Sequence, residues 1–131
     1  MQRGLLDTSV LIAAETARPV NPDLLPDLSI VSVVTIAELR AGVLAGSDVA
    51  IRSARMATLE LVLGIEQLPI DAAVAAQWAV LRVQLTAARR RVNVNDLWIA
   101  ATAAAHDLTV YTQDKDFDPL AEVCGLSVMQ V

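Results

Sequence analysis

The chain has one cysteine, Cys124, and one histidine, His106, among 131 residues. A lone thiol forms no internal disulfide, so nothing calls for an oxidising compartment and a reduced cytoplasm is the expected setting. These two residues are too few for a zinc site, and without a second histidine a histidine acid/base pair is excluded. Aromatic residues make up only 3% of the chain, too few for a row of base-stacking platforms, so Trp78 and Trp98 read as core or dimer residues. Long hydrophobic runs are also missing. Mean hydropathy is +0.51, yet a membrane-spanning helix needs roughly 20 apolar residues, and the longest uncharged stretches, Leu28–Ala37 and Ala72–Leu81, fall far short of that. Asp7 interrupts the apolar segment at the N-terminus, which does not read as a signal peptide. Positive charge is scarce too: 10 basic against 15 acidic residues leave a net charge of −5, which argues against simple electrostatic capture of nucleic acid.

Apolar material is plentiful. With 55% hydrophobic residues, the chain buries a full core unaided and reads as one domain over residues 1–131. The excess goes into the core and onto a partner surface. Leu5-Leu6 before Asp7-Thr8-Ser9 suits a buried strand turning into a helix over Val10–Glu15. Pro19, Asn21, Pro22 and Pro26 then break the chain. A second strand is expected at Leu28–Val31, with Ser32 capping a helix to about Ala45 that Gly46 closes. Asp48 caps the next helix, which Gly64 stops. A strand at Gln67–Ile70 precedes a helix begun by Asp71 and running to Arg89. After a loop at Arg90–Val94, a helix starts at Asn95 or its neighbour and runs through His106. Leu108–Thr112 reads as a strand, Gln113–Pro119 as a loop and Leu126–Met129 as a last strand. Strands alternating with helices imply a parallel sheet covered on both faces, whose ligand site lies beyond the carboxyl ends of the strands.

Asp7 and Asp114 follow two such strands and fall at the same sheet edge. Asp96 occupies the first turn of its helix, where the partial positive charge favours a carboxylate. Glu38 interrupts an otherwise apolar helix expected to be largely covered, and only Arg40, on another face, is near in sequence. Two unit charges about 4 Å apart repel by roughly 4 kcal/mol at an effective dielectric near 20. Four converging carboxylates therefore either take up protons or bind a cation. An all-oxygen donor set describes Mg²⁺ or Mn²⁺, and such an ion supports phosphodiester hydrolysis.

These residues carry a resemblance. Leu6-Asp7-Thr8-Ser9, Ser32-Val33-Val34-Thr35-Ile36-Ala37-Glu38-Leu39, Asn95-Asp96-Leu97-Trp98-Ile99-Ala100-Ala101 and Thr112-Gln113-Asp114-Lys115-Asp116-Phe117 follow in order. Together they span nearly the whole chain, which resembles the PIN-domain ribonucleases, specifically the VapC-type toxins of bacterial toxin–antitoxin pairs. The resemblance implies a three-layer α/β/α fold with a central, mainly parallel sheet. It implies Mg²⁺- or Mn²⁺-dependent cleavage of an RNA substrate through Asp7, Glu38, Asp96 and Asp114, with Asp116 competing for the fourth place. Thr8, Ser9 and Thr112 correspond to polar residues that orient the acids or the water. An antitoxin partner and a homodimer are implied as well, and no membrane. Asp107 departs from the glycine that many relatives carry after the helix, a position for which Asp tolerates the left-handed conformation moderately well.

Each acid has an ordinary reading as a cap or loop residue, and the set carries the case. The helices spanning Val34–Leu63 offer an apolar docking stripe. Arg89-Arg90-Arg91 reads first as a solvated helix end and second as a phosphate contact; Cys124 reads as inert and His106 as structural. Two rival chemistries fit less well. A phosphotransfer receiver needs an accepting Asp after its third strand, where Asp71 is a helix cap, and it does not explain Glu38. An aspartyl phosphatase needs a second Asp where Ser9 stands. A catalytically silent partner-binding domain is the remaining alternative.

Overall fold

The computed structural model describes residues 1–131. In chain order the elements are β1 (Arg3–Leu6), α1 (Thr8–Leu11), a 3₁₀ turn (Pro22–Leu24), β2 (Leu28–Ser32), α2 (Val33–Leu44), α3 (Val49–Leu63), β3 (Glu66–Leu68), α4 (Ala72–Ala87) and α5 (Val94–Ala105). After them come β4 (Thr109–Thr112), a second 3₁₀ turn (Lys115–Phe117), α6 (Asp118–Cys124) and β5 (Val128–Gln130). The five strands form one sheet in the order β3-β2-β1-β4-β5, every pair parallel.

Side chains one residue apart on a strand point to opposite faces, and the two halves of the core follow that rule. Leu5, Ile30 and Val110 pack with Val74, Leu81 and Leu85 of α4, Ile99 and Ala100 of α5 and Leu120 of α6. Leu6, Val31 and Tyr111 pack on the other face with Val10, Ile36, Leu39, Leu59 and Val62 of α1, α2 and α3. The result is the expected α/β/α sandwich. Gly4 is needed in the central strand, because a Cβ there would lie 2.9 Å from Pro26 Cγ and 3.1 Å from the Tyr111 ring.

Three expected caps are in place. Ser32 Oγ accepts from Val34 N at 3.1 Å, Asp48 Oδ1 from Ile51 N at 2.8 Å and Asp71 Oδ1 from Val74 N at 3.0 Å. Asp107 has φ 53°, and the N–H of Leu108 reaches back to the carbonyl of Ala103 at 2.9 Å, closing α5 as a glycine would. Asp107→Gly is expected to raise stability by about 0.5–1 kcal/mol, since glycine enters the left-handed region without steric cost; a urea denaturation midpoint measures it.

Other boundaries shift. The first helix starts earlier than expected and ends at Leu11, not Glu15, because residues 12–17 form turns that carry Ala17 into the left-handed region at φ 54°. The third strand begins at Glu66 and the last ends at Gln130. α5 does begin at a neighbour of Asn95, Val94, with Asn93 as its cap, accepting from Asn95 N at 2.8 Å. The stretch read as a loop to Pro119 contains a 3₁₀ turn and the start of α6. The sheet order reverses direction between β1 and β4, which makes the edge above those two strands the switch point of the fold.

Candidate active site

Asp7 stands at that switch point. Its N–H donates to the Tyr111 carbonyl of β4 at 2.9 Å, tying the end of β1 to its neighbour. The side chain is 3% exposed, and every hydrogen bond to it falls on Oδ2. Ser9 Oγ donates at 2.7 Å, Thr112 Oγ1 at 2.9 Å and Ser9 N at 3.4 Å. Oδ1 is left without a protein donor, and Asp7 lines a cavity of about 200 Å³.

The same cavity is lined by Glu38, Asp96 and Asp114, together with Thr8, Ser9, Ile12, Thr16 and Arg18. Glu38 reaches it from α2. Thr8 Oγ1 donates to Glu38 Oε1 at 2.8 Å and lies 3.0 Å from Thr35 Oγ1. Because Thr8 spends its proton on the carboxylate, Thr35 is the donor of that pair. Thr35 is fully buried, so a relay of two hydroxyls anchors Glu38 to the core. α2 is covered less than expected: Val34, Thr35, Ile36 and Leu39 are buried, while Ala37, Arg40, Ala41 and Leu44 are exposed.

Asp96 has no side-chain hydrogen bond to the protein. Its pKa is raised to about 7, first by desolvation and then by the charges of Asp7, Glu38, Asp116 and Asp114. The helix N-terminus was expected to favour its charged form, and burial among like charges outweighs that. Burial also raises the pKa of Asp7, against the opposing hydrogen bonds from Ser9 and Thr112. For both carboxyls burial is the larger cause of the rise, and the like charges anticipated around them add to it.

Asp114 and Asp116 divide the fourth place. Asp114 lines the cavity, its N–H donates to Thr112 Oγ1 at 2.9 Å, and its Oδ1 lies 3.3 Å from Arg18 Nη1. Asp116 is exposed in the 3₁₀ turn and outside the lining, yet it acts more strongly than Asp114 on the charge of Asp96.

The donor chemistry of the cavity suits a hard divalent cation: four carboxylates, a free Oδ1 on Asp7 and threonine and serine hydroxyls, with no sulfur or imidazole. As the side chains stand, however, no three of these acids are close enough to share one ion. A bound ion would have to draw them inward by side-chain rotation.

A PIN domain family model matches residues 4–123. The chain belongs to the PIN-domain family. This PIN domain is 49% identical over 128 residues to Ribonuclease VapC5 of Mycobacterium tuberculosis, covering 98% of this chain and 95% of that one. It is 44% identical to Ribonuclease VapC4 of the same organism, covering 94% and 95%. The crystal structure of VapBC-5, a member of the VapBC family of toxin-antitoxin systems from M. tuberculosis, superposes with a TM-score of 0.92 at 46% identity over the full length of both chains. FitAcB of Neisseria gonorrhoeae superposes with a TM-score of 0.73 at 30% identity, covering 95% of each chain.

Two residues of the PIN domain's cavity region escaped the sequence reading. Thr35 carries no signal beyond lying three residues before Glu38, which puts it on the same helix face. Arg18 follows the turn that ends at Ala17, 96 residues from its partner Asp114, and no local pattern marks it. The arginine triplet is partly committed elsewhere: Arg90 pairs with Glu122 of α6 at 2.9 Å, and Arg89, with φ 56°, sits in the left-handed turn after α4. Trp78 and Trp98 stack at 5.1 Å between α4 and α5, beside the core. His106 caps α5, and burial raises the pKa of the half-buried Cys124, keeping it a thiol. No helix is long and apolar enough to cross a membrane.

Proposed function

We propose that this PIN domain is a Mg²⁺- or Mn²⁺-dependent endoribonuclease and the toxin of a toxin–antitoxin pair. The observation that carries the reading is one cavity at the sheet's switch point, lined by four carboxylates from four separate segments, in a chain 49% identical to a protein named as a ribonuclease. Asp7, Glu38, Asp96 and Asp114 would hold the ion, which supplies a water of lowered pKa and neutralises phosphodiester charge. Ser9 and Thr112 keep Asp7 aimed with Oδ1 toward the cavity. Thr8 and Thr35 keep Glu38 at its wall. Asp96, lacking donors, stays free to rotate toward the ion, and Asp116 adds to the negative field from outside the cavity.

A protein antitoxin and a second copy of the chain are the partners in this reading. The solved structures it resembles include a member of the VapBC family of toxin-antitoxin systems, and Leu44 of α2 and Val49 and Leu61 of α3 are at least 78% exposed, apolar positions that a partner would cover. The test is direct. Antitoxin-free protein should cut RNA in Mn²⁺ or Mg²⁺, stop on addition of EDTA and resume when the ion is restored. A protein that cuts nothing under these conditions, yet binds its antitoxin, would instead be a silent partner-binding domain.

A further inference from the structure

The wall of the acid cavity contains a single cation, Arg18. Its guanidinium bridges two neighbours: Nη1 lies 3.3 Å from Asp114 Oδ1, and Nη2 donates to the Gln113 carbonyl at 2.8 Å. The side chain is about half exposed, 52% by area, so it sits at the mouth of the cavity. Its main chain is tied to the same residue, Gln113. Gln113 Nε2 donates to the carbonyls of Arg18 and Pro19 at 3.0 and 3.2 Å, and Gln113 N donates at 3.0 Å to Ser9 Oγ, the hydroxyl that holds Asp7. Ala17, just before it, is held at φ 54°, a conformation unfavourable for alanine that persists only where the surroundings enforce it.

An ordinary surface ion pair needs none of these ties. They place a planar, permanently charged fork, the side-chain geometry best suited to a phosphate, beside the only carboxylates a divalent ion would use. Asp114 Oδ1 cannot serve both cations fully. A doubly charged ion held in the cavity would compete for Asp114 and free Nη1, while the bond from Nη2 to the Gln113 carbonyl would keep the guanidinium at the mouth.

We propose that Arg18 exchanges partners, pairing with Asp114 in the metal-free protein and with the substrate phosphodiester when the ion is bound. The proposal rests on the metal-dependent nuclease reading above, and it makes the ion and Arg18 competitors for one carboxylate and Arg18 a substrate-binding residue.

The test uses Arg18→Gln and Arg18→Lys in two assays. In calorimetric titration with Mn²⁺ and no RNA, Arg18→Gln should bind Mn²⁺ roughly three- to tenfold more tightly, because a competing cation is gone, while Arg18→Lys stays near wild type. In steady-state cleavage of an RNA oligonucleotide, Arg18→Gln should raise KM at least about tenfold with kcat within about threefold. The slope of log KM against log salt should fall by about 0.7, one phosphate contact on a single strand. Arg18→Lys should recover part of the KM, keeping the charge without the fork. Wild-type KM and salt slope in Arg18→Gln would overturn the phosphate role, and unchanged Mn²⁺ affinity would overturn the pairing. If wild-type protein cuts no RNA while Arg18→Gln still tightens Mn²⁺, the nuclease reading and the phosphate role fail together and only the competition for Asp114 stands.

Discussion

Asp7→Asn should lower the rate of RNA cleavage by at least about a thousandfold, equivalent to about 4 kcal/mol of transition-state stabilisation, while leaving the fold intact. Asparagine has nearly the same shape as aspartate, and its carbonyl oxygen still accepts from Ser9 Oγ and Thr112 Oγ1, which now reach Oδ2 at 2.7 and 2.9 Å. What it loses is the negative charge of the carboxylate that lines the cavity. Metal affinity and activity should therefore fall together. The thermal midpoint of the metal-free protein should hold or rise, because a buried charge with no cation beside it has been removed. Asp7→Ala is the poorer experiment, since it strands two buried hydroxyls. Cleavage assays paired with thermal melts in EDTA separate the cases; more than a tenth of wild-type activity in Asp7→Asn would remove Asp7 from the reaction.

The second large effect is on stability. Asp96 has a folded-state pKa of about 7 against 3.8 for the unsupported group. Between those values the folded chain keeps a proton that the unfolded chain has lost. The stabilisation is complete below pH 3.8, and stability falls as pH rises toward 7. The raised pKa of Asp7 acts in the same direction. Without divalent ions, the protein should melt at higher temperature at pH 5.5 than at pH 8, the reverse of a protein held together by paired carboxylates. Asp96 is part-exposed, so the contribution is discounted for solvent screening to about 1–2 kcal/mol, or about 3–8 °C for a domain of this size. Asp96→Asn should raise the pH 8 midpoint by that amount and flatten the pH dependence. Added Mn²⁺ should stabilise wild type at pH 8 far more than at pH 5.5, because protonated ligands do not bind. Equal melting of wild type and Asp96→Asn at pH 8 in EDTA would show that the four acids do not crowd one another.

Features governed by short-range rules were readable in the chain. The caps at Ser32, Asp48 and Asp71 announce themselves because each acceptor lies two or three residues from its donor. The strands Leu5-Leu6 and Val110-Tyr111 are short apolar runs bounded by polar residues, Asp7 and Asp114 follow the ends of strands, Asp96 stands in a first helical turn, and Glu38 marks itself by interrupting an apolar helix. α6 was missed although its markers were present: Pro119 lies in its first turn, and Gly125, at φ 71°, ends it. At seven residues it is too short to show a helical period. Arg18 and Thr35 were missed for a different reason. Their importance comes from contacts across 96 and 27 residues, which no local pattern encodes. The helix-dipole argument at Asp96 is outweighed first by the burial of the carboxyl, which only the fold determines, and then by the charges of the acids around it.

The placement of β4 also bears on synthesis. Thr112, which helps fix Asp7, lies 105 residues further along the chain, and the central strand β1 lacks one of its two neighbours until that point is made. At roughly 5–20 residues per second, the interval is about 5–20 s. During that time the growing chain sits on the ribosome, surrounded by RNA, with Asp7 uncaged and two of its four cavity acids missing for most of the interval. On the function proposed above, cleavage would wait until Thr112 and Asp114 have been made, and an antitoxin would have that same interval in which to be ready.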